Sequence, residues 1–279
     1  MIRWCLAASM CLAAAFPLGA QGRAAPVYLR IDPRVGDTIR TRLEQQTEMR
    51  ATARLEGEDS VTTIRSWMAT VALLRHVVEG GDARGTMLLT IIDSVAMSGE
   101  GVSIPSEQQR RILQGRSVRT RISPEGATDL LEGADAVTPD VAAMFSSMPA
   151  TLPDYSVNVG DSWNRAMRVP IYGQAPGKPE AMVHAEFRLD SVRARKGEAF
   201  ISMRGVITRD AGAQRTEERT VDTIGTIIGG MLVNSERGWI TDSRTTITVK
   251  SQLSPASPQS APMQFQLRMT QRMHSIDRR

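Results

Sequence analysis

Gly160-Asp161-Ser162-Trp163 sets a hydroxyl beside a glycine and a carboxylate, residue types that a serine hydrolase uses around its nucleophile. That chemistry also requires backbone N–H groups converging on an oxyanion, and an elbow that exposes the hydroxyl. The flanking residues supply neither, and a related stretch, Arg34-Val-Gly-Asp-Thr-Ile39, carries Thr38 at the position of Ser162. Both motifs therefore read as strand-opening turns, in which glycine supplies backbone freedom and aspartate bonds its own backbone; Trp163 is expected in the core. His76, His184 and His274 stand singly, outside any His-Glu-x-x-His arrangement, and Cys5 and Cys11 both fall within the first twenty residues. Zinc needs several such ligands together, so no metal and no cofactor is expected. The acidic groups Glu56, Glu58 and Asp59, and Glu217 with Glu218, are local pairs in polar stretches. A glycosidase instead holds two carboxylates across a cleft. Gly225, Gly229 and Gly230 lie in strand-like surroundings, so they do not form a phosphate-binding loop before a helix.

What remains is apolar. The chain has 15 methionines, while Phe, Trp and Tyr together make up 4% of it. Met49, Met203, Met263 and Met269, with Phe265 and Leu267, alternate with polar residues and fall on the inward positions of strands. Methionine adapts its shape to variable aliphatic partners, so these six are the candidate ligand-binding residues. The competing reading is a core filled with flexible side chains.

The elements that would carry them follow from periodicity. Ile39 to Leu55 alternates apolar and polar residues almost without a break, which predicts one long strand with a wet face. Val61 to Val78 is apolar on both faces, and Gly80-Gly81-Asp82 reverses it into Thr86 to Ile92. A short helix is expected over 106–114, closed by Gly115, followed by a hairpin turning at Ser123-Pro-Glu-Gly126. Thr138-Pro139-Asp140 starts a second helix, 138–148, that Pro149 ends. Strands through Val183 to Asp190, Phe200 to Thr208, Ile224 to Val233, Trp239 to Lys250 and Met263 to Met273 complete the chain. The order of motifs repeats, which points to an internal duplication.

Arg3, the apolar run Trp4 to Phe16 and small residues before a cut after Leu18-Gly19-Ala20 are the three parts of a secretory signal peptide. No later stretch reaches the roughly 20 apolar residues that a membrane helix needs. The rest of the chain would lack thiols and hence disulfides. Formal net charge is +4, with only three lysines, Lys178, Lys196 and Lys250. This modest excess is a solvated surface and does not point to nucleic acid. An outer-membrane barrel is disfavoured, because the polar faces carry both charges and aromatic girdles are missing.

Met144-Phe-Ser-Ser-Met-Pro149 followed by Val159-Gly-Asp-Ser-Trp163 resembles a pattern in secreted bacterial proteins with no assigned activity, in which a short helix and this motif join two β-rich halves. In outline, long antiparallel strands around a short helix are also similar to periplasmic lipoprotein and lipid carriers of the unclosed-barrel type. No residue role carries over from either. The expectation is an all-β, exported, non-enzymatic protein, periplasmic or extracellular, with signal peptide 1–20 and halves 21–150 and 151–279. Two related, strongly curved antiparallel sheets would bind a lipid, acyl chain or other hydrophobic small molecule in a concavity. The alternatives are a structural or partner-binding envelope protein without a cavity, and a hydrolase.

Overall fold

The computed structural model describes residues 25–54, 61–102, 106–133, 151–169, 181–209, 221–253 and 263–276. The expected signal peptide, the turn at 56–60, the helix at 138–148 and the loops at 173–179 and 255–262 lie outside these residues. The first half contributes β1 (Thr38–Arg54), β2 (Val61–Asp82), β3 (Gly85–Glu100), α1 (Glu107–Leu113), β4 (Ser117–Ile122) and β5 (Thr128–Glu132). The second contributes β6 (Ser162–Val169), β7 (Ala181–Arg193), β8 (Glu198–Arg209), β9 (Val221–Asn234), β10 (Trp239–Leu253) and β11 (Met263–Ser275).

The protein is all-β, as its alternation implies, but it is one sheet and not two. The order is β5-β4-β3-β2-β1-β11-β10-β9-β8-β7-β6, with every neighbouring pair antiparallel. Alternation tells which way each side chain points and leaves the hydrogen-bonding partner open. The first and last strands pair over most of their length, from Thr41 opposite Ser275 to Thr52 opposite Gln264, and this fuses the halves.

Period two and the register assign every strand residue to one of two faces. Ile39, Thr41 and Leu43 of β1, Leu74, His76 and Val78 of β2, and Phe187, Leu189 and Ile201 further round are all buried on one face. The other face carries Arg40, Arg42, Glu44, Arg75, Glu186 and Arg204. The sheet curls around its apolar face, since one buried cluster joins Ile39, Val78 and Leu88 of the first half to Val183, Phe187, Ile201 and Val233 of the second. Two devices help it bend. Bulges fall at Leu73/Leu74, Val78/Gly80, Leu189/Ser191 and Ile240/Asp242. On the concave face, a Cβ on Gly205 would lie 2.5 Å from the His184 carbonyl oxygen, and one on Gly229 would lie 2.4 Å from that of Arg244. Only glycine permits so close a backbone approach.

One end of this curl is closed. The two Val-Gly-Asp motifs form matching turns there. Asp37 N–H bonds to Arg34 O and Asp161 N–H to Asn158 O, both at 3.0 Å, while each aspartate side chain accepts from the N–H three residues back. Gly36 and Asp37 exchange bonds with Val78, and Gly160 and Asp161 with Leu189. Across this end runs the segment Val27–Asp32. Val27 pairs with Val157, Ile31 N–H donates to Pro124 O, and Asp32 N–H donates to Gly238 O. Its own Leu29 and Ile31 are fully buried, as are Leu152 and Val157. A second apolar cluster, Leu43, Ala72, Leu74, Ile92 and Val118, receives Leu113 of α1 onto the same concave face.

Candidate functional site

Beyond the two clusters, toward the end of β1 and the starts of β2 and β11, the concave face is apolar but only half covered. Met49 of β1 lies opposite Ser66 of β2 and Leu267 of β11, and Leu267 lies opposite Val249 of β10. The next rank is Ile64, Ala51, Phe265 and Ser251, and Met263 follows opposite Leu253. On the other side, Met68, Thr47, Met269 and Ile247 form one row. Met49 is 43% exposed and Ile64 63%, whereas Met263, Phe265, Leu267 and Met269 are half-buried. Five of the six candidate residues thus share one wall. Met203 is on the same face but three strands away from β11, buried against Gly229 in the packed core. Ile64, Val249 and Ile247 join this wall although the sequence did not single them out; only cross-strand register brings them there.

The concave face is almost free of charge. Among its strand residues with described side chains Arg165 of β6 is the ionised one, and its guanidinium donates to the carbonyl of Leu152. The buried polar residues on this face, Thr41, Ser66, Thr70, His76, Thr86, Thr90 and Thr120, all come from β1 to β4. Thr70, Gln45, Gln271 and Thr245 stand in register as a neutral row below the methionine wall. His76 has Nδ1 2.9 Å from Thr90 Oγ1 and its ring 5.5 Å from that of Trp239. Burial strips water from the imidazolium and lowers its pKa to about 4.

Among the described residues no catalytic constellation forms around Ser162. It lies opposite Arg188, on the convex face, while His184 lies opposite Ala166, four residues along β6 and so about 13 Å away. Asp161 caps its own turn through Asn158, and Trp163 is buried, stacked on Phe187 with its Nε1–H donating to Thr151 O at 2.8 Å. His184 is exposed and the three histidines lie on three different strands. Among the described residues no group of His, Cys, Asp and Glu has the makings of a metal site, and no helix is long and apolar enough to cross a membrane.

The convex face holds one feature that alternation hid. Phe200 and Val206 of β8 and Ile224 and Ile228 of β9 point outward and are each at least 45% exposed. A shallow groove of about 950 Å³ runs past Phe200, Ile228, Leu232 and Arg244. Compared with known protein families and with curated proteins, the chain matches neither a family model nor a curated protein.

Proposed function

We propose that this protein is an exported, non-catalytic binder of an apolar or amphipathic molecule, a lipid or acyl chain, taken up on the half-covered concave wall of β1, β2, β10 and β11. One observation carries the reading. Met49, Met263, Phe265, Leu267 and Met269 adjoin one another on the inner face of a curled sheet, leave apolar area open to solvent, and have no charged neighbour in register on that face among the described residues. Such area costs free energy in water, at roughly 25 cal/mol per Å², unless something apolar covers it. Methionine and unbranched aliphatic walls accept chains of variable shape. The matching hydrogen bonds of the two Val-Gly-Asp turns, each next to a bulge at Val78 or Leu189, support descent of the halves from one duplicated unit.

The test is the mass of the exported protein purified without detergent, native against denatured, followed by titration with fatty acid and phospholipid. Extractable lipid mass, with binding weakened about tenfold or more in Leu267→Gln, is the expected result. A bare mass with no uptake of either would end the proposal. The exposed apolar group on β8 and β9 favours a second reading, partner binding through the convex face. Ile228→Glu would then abolish capture of an envelope protein while leaving lipid uptake unchanged.

A further inference from the structure

We infer that the buried end of the ligand is an uncharged hydrogen-bonding group, such as an alcohol, ester or amide, received by Thr70, Gln45, Gln271 and Thr245. The inference rests on the lipid-binding reading above and names the ligand class. Gln45 lies opposite Thr70 on one side and Gln271 on the other, and Gln271 lies opposite Thr245, so the four form an unbroken row across β2, β1, β11 and β10. At roughly 4.8 Å between strands the row spans about 14 Å. The methionine wall stands on the side toward the open end. On the other side Leu43, Ala72 and Met273, with Leu113 of α1, close the concavity. The row is therefore the floor of the open part. Gln45, Gln271 and Thr245 are half-buried, and Thr70 is buried.

The chemistry of that floor is specific. Amide and hydroxyl groups offer donors and acceptors together but no net charge. An ionised carboxylate or phosphate lowered onto it would lose water without meeting a cation, which strongly disfavours that form. Arg165 sits on edge strand β6 and is engaged by the Leu152 carbonyl, and Arg209, opposite Ala181, ends β8, three strands from β11. A neutral oxygen or nitrogen exchanges its bonds to water for bonds to the glutamines, while its chain runs past Met269, Leu267 and Met49 toward the opening. The aliphatic inner face of β7 to β9, from Val183 to Ile207 and Ile227, offers no comparable polar group.

The experiment compares a long-chain primary alcohol with the carboxylate of equal chain length, titrated into the purified mature protein at mildly alkaline pH. The alcohol is expected to bind at least about tenfold more tightly. Gln271→Lys adds a cation to the floor and is expected to reverse the preference. Should that variant fail to keep the β-sheet circular-dichroism signal, the paired Gln271→Leu and Thr245→Val variant serves instead, and it should erase the alcohol's advantage at an unchanged melting temperature. If the carboxylate matches or exceeds the alcohol in the unaltered protein, the neutral floor is wrong while lipid binding stands. If neither molecule binds, lipid binding falls with it.

Discussion

Among the described residues His76 is the titratable side chain of the concave face whose burial has a direct thermodynamic consequence. Its neighbours are Ile39 across the strand pair, Thr90 as hydrogen-bond partner and Trp239 in ring contact, and none of them carries a charge. The folded protein therefore holds the imidazole neutral until the pH falls to about 4, against 6.5 for an ordinary histidine. The sign follows from proton counting. Between those values the unfolded chain binds a proton that the native state refuses, so acidification favours unfolding. The contribution is intact above pH 6.5, and is lost progressively as the pH falls through the window toward about 4. At about pH 5 the unfolding free energy from denaturant titration is expected to lie roughly 2 kcal/mol below its value at neutrality. His76→Leu should flatten that decline, whatever it does to stability at neutral pH. A variant with an unchanged slope would assign the acid sensitivity to other groups. Sequence gave no sign of this role, because β2 is apolar on both sides and nothing in it tells which side faces in.

The strands themselves were largely readable. Alternation between Ile39 and Leu55 became β1, Gly80-Gly81-Asp82 led into the β2–β3 reversal, and Ser123-Pro-Glu-Gly126 became a turn in which Gly126 has φ of 91°. The short helix over 106–114 is α1. Pairing was not readable, because a strand with one wet face is compatible with any partner whose own faces match. Alternation alone is therefore compatible with two sheets as well as one, sets Met203 beside methionines that lie three strands away, and does not single out the outward Phe200 and Ile228. Glycine roles also divide by contact. Gly160 and Gly238 both have positive φ, 98° and 57°, but a Cβ at Gly160 would meet nothing within 4 Å, whereas at Gly238 it would lie 2.2 Å from the carbonyl oxygen of Asp32. Gly160→Ala should therefore cost only the backbone strain, about 1 kcal/mol. Gly238→Ala must also push the Val27–Asp32 segment off the closed end, breaking the bond from Asp32 N–H and loosening Leu29 and Ile31. Its expected cost is about 3 kcal/mol or more, and the thermal midpoints of the two variants, measured side by side, should separate accordingly. Equal midpoints would mean that the segment adds little to closing that end.

The sharing of one core decides how the whole chain unfolds. Ile39, Val78 and Leu88 are buried in the same cluster as Val183, Phe187, Ile201 and Val233, and the backbone ladder between β1 and β11 joins the halves a second time. A half released from its partner would expose its share of that cluster together with a long unpaired edge, β1 in one case and β11 in the other. Exposed edges of this kind associate rather than persist. Heating is therefore expected to give a single transition with calorimetric and van't Hoff enthalpies in agreement, although the chain carries two similar turn-and-hairpin units. Phe187 provides the sharper probe, since it is wholly buried in the second half and stacks on Trp163. Phe187→Ala should cost about 3–5 kcal/mol. In native-state hydrogen exchange it should lower the protection of β1 and β2 as much as that of β7 and β8, because one cooperative opening exposes both. Loss confined to β7 and β8, or two resolved melting transitions, would mean that the shared cluster holds two independently folding halves in contact, and each half would then retain separate stability inside a continuous sheet.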